Sequence, residues 1–261
     1  MGLSSSSINS ARSAIAFFNG DDPNLSNNVY ISRLFKFFYR ERPRTPKYIV
    51  FWPVSKLLDL LASWHPSDSL DLKKLTLKTV ALIALTSSDR GQTLHALSTD
   101  KTHLDDSGIS FVVTSRLKNS GKTVKPKVVF CPKFDNPALD VCFYVLEYIK
   151  RTKPFRTNSS GGLEEPNQLF LSWASKRPIT RPSLARWLKT VLALAGIDTK
   201  IFSAHSYRGS SLSSAYNAGA SINDIMTAGQ WKKASTFERF YNARANNTPV
   251  GKLILEQSKD T

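Results

Sequence analysis

Four residues with reactive or phosphate-binding side chains lie in one helical, small-residue-rich segment, FSAHSYRGSSLSSAYNAGASINDIMTAGQWKKASTFERFYNAR, at Phe202–Arg244. The His205 imidazole can transfer a proton near neutral pH, and the Arg208 guanidinium can clamp an anion through two parallel hydrogen bonds. The Tyr241 phenol can act as a nucleophile once a neighbour assists its deprotonation, and the Trp231 indole N–H can donate one hydrogen bond. These groups suit nucleophilic chemistry at an anionic centre.

Each of these residues, taken alone, is better explained by packing than by chemistry. His205 and Arg208 are three residues apart and share one helix face, but an H-x-x-R pair is common. Tyr241 ends the sequence FERFY, whose aromatic residues have the i, i+3, i+4 spacing of a buried helix face. Trp231 follows a glycine and a glutamine at a predicted helix end, where a tryptophan usually packs at the edge of the core.

The order of six residues is more specific than any one of them. An apolar helix ends in Thr-Ser-Ser and is followed by Arg90, and a basic turn, RLKNSGKTVKP, then contains Lys118. Lys122 and Lys125 lie in the same turn and are alternatives to Lys118. The chain therefore presents, in order, an arginine, a lysine, the H-x-x-R pair, a tryptophan and a tyrosine.

The composition indicates an intracellular protein with a polyanionic partner. The 261 residues include 36 Lys and Arg against 20 Asp and Glu, which gives a formal net charge of +16. Such an excess suits a polyanionic partner, most often nucleic acid and less often an anionic membrane. The most apolar run, Val80–Leu85, is too short for a membrane span. Two cysteines and scattered histidines predict a reduced compartment and no structural metal.

The pattern along the chain predicts a mostly helical protein with one small sheet. Two β-branched segments, Ile109–Thr114 and Lys127–Phe130, flank the basic turn and predict an antiparallel hairpin. An apolar helix over Asp140–Lys150 is expected to end in a basic loop that contains a proline. The other predicted helices lie at Ser4–Phe18, Asn28–Tyr39, Val54–Trp64, Leu70–Leu85, Ser206–Asn217 and Ala234–Asn242, with a capped helix between the last two. Another has its start signal at Thr180 and Pro182 and its stop at Gly196.

The ordered set resembles the catalytic domain of the tyrosine recombinases, the family of phage integrases and chromosome-dimer resolvases. More narrowly, RGQTLHAL, LKTVLALAGIDTKIFSAHSYRG and GQWKKASTFERFYN look like the recombinases of DIRS-like eukaryotic retrotransposons. The resemblance covers about Thr45 to Arg244. It implies a mainly α (α+β) fold with helices around a small antiparallel sheet over residues 43–261. Residues 1–42 would form part of a helical core-binding, DNA-clamping segment.

The resemblance implies that Tyr241 attacks a DNA phosphodiester and forms a 3′-phosphotyrosyl bond, so that neither metal nor cofactor is required. Arg90 and Arg208 would clamp the phosphate, and His205 would assist deprotonation of the tyrosine. Trp231 would occupy the third His-or-Trp position.

By the same resemblance, Lys118 would protonate the departing 5′-oxygen. The reaction would serve recombination and integration of a mobile element. The protein would then act in the nucleus, or otherwise intracellularly with DNA.

Two features depart from the family pattern. An acidic residue usually lies three positions after the first arginine, where this chain has Thr93, and Asp89 precedes Arg90 instead. The first 42 residues correspond to only the last two helices of a core-binding domain. We therefore expect a fragment or a degraded copy of a longer recombinase.

The same sequence is compatible with two other functions and suggests one mode of self-assembly. The alternatives are a non-catalytic DNA-binding relic or domesticated module, and a relaxing activity like that of type IB topoisomerases. The tail after Tyr241 contains the apolar sequence VGKLILEQ. This apolar patch would either pack on its own domain or, as the resemblance implies, mediate self-assembly on double-stranded DNA, from dimer to tetramer.

Overall fold

The computed structural model describes most of the chain, over residues 3–20, 27–42, 48, 50–115, 117, 126–157, 167–231 and 233–240. Four of the predicted catalytic or alternative residues lie outside these ranges: Lys118, Lys122, Lys125 and Tyr241. The tail after Tyr241 also lies outside them. The chain divides into two compact units, Met1–Lys47 and Tyr48–Thr261.

The first unit contains two helices, α1 at Ser5–Phe18 and α2 at Val29–Glu41. Each begins at a polar cap, because the side chain of Ser4 or Asn28 accepts hydrogen bonds from N–H groups of the first turn. The Ser5 hydroxyl donates to the backbone carbonyls of Phe38 and Arg42, both at 3.3 Å. Both helices agree with the prediction to within two residues.

The second unit is mostly helical with a three-stranded antiparallel sheet. Its helices, numbered on from the first unit, are α3 Val54–Ser63, α4 Leu72–Ser87, α5 Gly91–His95, α6 Val141–Thr157, α7 Arg181–Leu194, α8 Ser206–Asn217, α9 Ile222–Gly229 and α10 Ala234–Phe240. Its strands are β1 Thr102–Leu104, β2 Gly108–Val113 and β3 Lys127–Pro132. Among the described residues, no helix is long and apolar enough to cross a membrane.

Helix α4 is the central element of this unit. Every residue from Leu75 to Leu85 is buried, and its neighbours are α6, α7, α8 and β3. Even Lys78 is buried: its ammonium donates to the Trp64 carbonyl at 2.5 Å and lies 3.9 Å from the centre of the Tyr144 ring. This burial lowers the pKa of Lys78 to about 8. A helix enclosed on all sides gives a fixed starting point for the residues that follow its end.

The sheet contains the predicted hairpin and one additional strand. β2 pairs with β3 with Val113 opposite Lys127, and β1 adds to the other edge of β2. On β3 the side chains alternate, with Val129 and Cys131 buried and Val128 exposed. β1 was not predicted because it has three residues, none of them buried, and depends on pairing rather than on an apolar pattern.

Helix α6 extends beyond its predicted end at Lys150. It reaches Thr157 and includes Pro154, so the expectation of a proline-containing loop was wrong. Tertiary contacts hold its last turns: the buried Arg156 guanidinium donates to the backbone carbonyls of Gln168 and Leu169, at 2.7 and 2.6 Å. Such contacts compensate for the hydrogen bond that a proline removes from a helix.

Candidate active site

Arg208 lies at the centre of the candidate site and is tied to two helix ends. It lies in the first turn of α8 and is only 2% exposed. Its Nη1 donates to the Ser88 carbonyl at 2.9 Å, and its Nη2 donates to the Gly229 carbonyl. Ser88 ends α4 and Gly229 ends α9. One guanidinium therefore joins three helices.

The two carbonyls are available to Arg208 because of how their helices end. The last carbonyls of a helix have no partner within it and carry the negative end of its dipole. Ser88 and Gln230, the residues that cap α4 and α9, both have left-handed backbone conformations, with φ of 51° and 48°. Each turns the chain out of its helix in one step. A cation between two such ends is stabilised by both of them.

Trp231 covers this guanidinium with its ring. The Arg208 guanidinium carbon lies 4.8 Å from the centre of the indole, within the range of a cation–π interaction. The indole also packs on Phe237 of α10, with ring centres 5.8 Å apart. Gly229 makes room for it, since a Cβ there would lie 2.3 Å from an indole carbon. Trp231 thus contacts Arg208 on one side and Phe237 of α10 on the other.

Gly229→Ala is expected to destabilise the second unit by about 1–3 kcal/mol, because the indole lies between Arg208 and Phe237 and the added methyl overpacks it. Urea unfolding followed by tryptophan fluorescence measures the change in the free energy of unfolding. Gly91→Ala is the matched control, since its Cβ would meet only a Leu184 methyl at 3.9 Å. Equal stability of Gly229→Ala and wild-type protein would contradict this packing.

Arg90 is placed by the turn that follows α4. It is half-buried, caps the start of the short helix α5, and its carbonyl accepts from the Thr93 backbone N–H at 2.8 Å. Thr93 is buried one turn further on. Because only Asp89 separates Arg90 from Ser88, whose carbonyl holds Arg208, the two arginines are anchored to neighbouring backbone positions.

Asp89 places a carboxylate among these cations. Its side chain is 3% exposed, and one carboxylate oxygen lies 3.2 Å from the Lys127 ammonium, whose side chain is 19% exposed. Burial raises the pKa of Asp89, while attraction to Lys127, Arg208 and Arg90 opposes that rise. Asp89, the acidic residue that precedes Arg90, therefore points into the structure.

His205 lies at the start of α8, one position before its first residue, and its side chain is exposed. Arg208, three residues later, is buried in the same turn. An exposed imidazole one helical turn before a buried guanidinium suits a site in which the histidine meets a ligand from solvent while the arginine forms the base.

Tyr207, the neighbour of Arg208, has a structural position. It is buried, its hydroxyl donates to the Leu188 carbonyl at 3.0 Å, and burial raises its pKa well above the ordinary value. A phenol in this environment is a poor nucleophile. Tyr216 is partly exposed and packs edge-on against Phe237.

The structure brings together part of the predicted set. Arg208 contacts Trp231, Arg90 lies two residues beyond the carbonyl that holds Arg208, and His205 lies one helical turn before it.

Lys127 was predicted only as the start of a strand and not as a residue of the site. Side chains alternate between the two faces of a strand, and Lys127 lies on the same face of β3 as the buried Val129 and Cys131. This alternation could have indicated that Lys127 points inward.

Among the described residues, no group of three or more His, Cys, Asp or Glu side chains could hold a metal ion. No protein-family model matches the sequence, and no curated protein matches it.

Solved structures resemble the fold. The Tn1549 transposon integrase in complex with transposon right-end DNA superposes with a TM-score of 0.58 and 16% identity, over 99% of this chain and 80% of that one. The XerH site-specific recombinase bound to difH substrate gives a TM-score of 0.54 and 14% identity, over 78% of this chain. The match spans about half of the XerH chain, 52% of its length. The chain therefore has the predicted mainly α fold, with a small antiparallel sheet, of the tyrosine recombinase and integrase structures.

Proposed function

We propose that this protein cleaves and rejoins DNA strands through a 3′-phosphotyrosyl intermediate, with Tyr241 as the nucleophile. The observation that carries the proposal is the Arg208 centre: a guanidinium fixed by two helix ends and covered by Trp231, with Arg90 anchored beside it. The net charge of +16 supports a DNA substrate. Both resembling proteins described above were solved with DNA, which agrees with this substrate.

In the proposed reaction the Tyr241 oxygen forms a bond to phosphorus as the bond to the 5′-oxygen breaks. A free phenol has a pKa of about 10, so the attacking oxygen needs assistance, which His205 would give. Arg90 and Arg208 would stabilise the additional charge on the phosphate oxygens in the transition state. Since Arg208 is only 2% exposed and is covered by Trp231, it would have to become accessible to a phosphate oxygen when DNA binds.

A lysine of the basic turn would give a proton to the departing 5′-oxygen, and we propose Lys118 for this role. Rejoining is the reverse: a 5′-hydroxyl attacks the phosphotyrosyl phosphorus and Tyr241 leaves. One phosphodiester bond is exchanged for another, so the reaction needs no external energy source.

We further propose a biological setting in a mobile element of the DIRS-like retrotransposon type, acting in the nucleus on integration or recombination. The first unit would contribute to a clamp around DNA. The tail after Tyr241 would connect protomers into dimers or tetramers on DNA. These proposals rest on the sequence resemblance.

Duplex binding is expected to depend strongly on salt and weakly on base sequence. A protein that neutralises about 6–10 phosphates loses roughly 10³–10⁵ in affinity between about 50 and 200 mM salt, because condensed counterions are released. Fluorescence anisotropy on two duplexes of unrelated sequence measures both dependences. An affinity that stays constant over this salt range would contradict the phosphate-contact account.

Covalent trapping tests the proposed reaction. The protein is incubated with a labelled pool of nicked duplexes of randomised sequence, in which a short fragment diffuses away after cleavage and prevents rejoining. We expect a protein–DNA adduct that resists SDS and disappears on protease digestion. Salt-dependent binding with no adduct would contradict the proposed activity and favour a non-catalytic DNA-binding protein.

A further inference from the structure

Asp89 is the buried carboxylate of the candidate site, and it interacts with three cations. Lys127 makes a 3.2 Å ion pair with it, and Arg90 and Arg208 both attract it electrostatically. Its backbone N–H donates to the Ser87 hydroxyl at 3.3 Å, which fixes the residue to the end of α4. Asp89 thus links the end of the central helix to the first residue of β3.

Stability alone is a weak explanation for such a pair. Removing a carboxylate from water carries a penalty that its partner only partly offsets, and apolar residues of similar volume often stabilise a fold equally well. A buried ion pair does hold its two side chains in place, because moving either one away leaves the other charge buried and uncompensated. What the pair determines here is the position of Lys127, and with it the start of the strand that follows the basic turn.

We propose that Asp89 is a positioning residue of the DNA-cleaving site, which holds the Lys127 ammonium against the end of α4 and balances the charge of Arg90 and Arg208. This inference rests on the proposed function. Asp89 lies one residue before Arg90, whereas position 93 lies three residues after it. Asp89 thus supplies the carboxylate that an acidic residue at position 93 would otherwise supply.

The test compares Asp89→Asn with Lys127→Met, with the double variant, and with Asp140→Asn as a matched control. Asp140 is also buried, but its carboxylate accepts backbone N–H bonds from Phe134 and Cys142 and has no ion-pair partner among the described residues. Urea unfolding, duplex affinity and the single-turnover rate of adduct formation at saturating DNA are measured for each protein.

Asp89→Asn is expected to slow adduct formation at saturating DNA by about tenfold to hundredfold, the effect of a small misplacement in a reacting centre. Duplex affinity should not fall, because a negative charge near the phosphate site is lost. The double variant should be slowed by less than the product of the two single effects. Asp140→Asn should keep the wild-type rate, because its amide oxygen can still accept both backbone N–H bonds. A wild-type rate for Asp89→Asn would overturn the proposal.

A second measurement does not depend on catalysis. Lysine acetylation by a small reagent, followed by peptide mass spectrometry, reports how accessible the Lys127 ammonium is. We expect Lys127 to react severalfold faster in Asp89→Asn than in wild type or Asp140→Asn. Unchanged reactivity would contradict the role of Asp89. Faster reactivity in Asp89→Asn, together with no adduct from the wild-type protein, would contradict the proposed function and leave the role of Asp89 in holding Lys127 supported.

Discussion

Tyr241→Phe is expected to abolish the covalent protein–DNA adduct while leaving duplex affinity within about twofold, or roughly 0.4 kcal/mol. The substitution keeps the aromatic ring of the FERFY stripe and removes only the oxygen that would attack phosphorus. The adduct is measured on denaturing gels with nicked duplexes, and the affinity by anisotropy.

Tyr216→Phe is the matched control for this experiment. Tyr216 lies on α8 and packs against Phe237, and its replacement by phenylalanine keeps that ring contact. We expect it to retain the adduct. A persistent adduct in Tyr241→Phe would contradict the assignment of the nucleophile, and its loss in Tyr216→Phe would move the assignment to α8.

Lys118→Ala is expected to slow cleavage of ordinary DNA by about 10²–10⁴-fold, the usual contribution of general acid–base catalysis. The reason is that a sugar 5′-alkoxide is a very poor leaving group unless it is protonated. When the bridging 5′-oxygen is replaced by sulfur, the departing thiolate needs no proton. The same variant should therefore cleave the sulfur-bridged substrate almost as fast as the wild-type protein does.

Lys122→Ala and Lys125→Ala are the controls, since both residues lie in the same basic turn and keep its length. Each should slow both substrates equally or not at all. Equal losses on both substrates for Lys118→Ala would make that residue a phosphate contact. A loss confined to ordinary DNA in one of the other two variants would transfer the general-acid role to it.

The helices of the fold were predictable where local signals agree. Ser4, Asn28 and Thr180 cap helix starts through their side chains. Helix α7 ends at Leu194, and Gly196 follows two residues later with a φ of 69°, which suits glycine. By contrast, α6 continues through Pro154 because Arg156 binds carbonyls of residues 168 and 169. That stabilisation comes from a segment distant in sequence from the start of the helix, so local propensity could not predict it.

The candidate site was likewise predictable only in part. The residue types and their order pointed to Arg208 and Trp231 as candidates. They could not show that the indole lies on the guanidinium or that the Ser88 and Gly229 carbonyls hold it. Those contacts depend on where two helices end in space. The pairing of Lys127 with Asp89 is also long-range. Alternation along β3 could have predicted only that Lys127 points inward.

Mapping the trapped adduct tests the central claim most directly. After incubation with nicked duplexes carrying a label at one end of the cleaved strand, the adduct is digested with trypsin and the DNA-linked peptide is identified by mass spectrometry. We predict that a 5′-end label stays with the protein, as a 3′-phosphotyrosyl bond requires, and that the linked peptide is Phe240–Arg244, which contains Tyr241. Retention of a 3′-end label, or attachment to the peptide Gly209–Lys232, which contains Tyr216, would contradict the account.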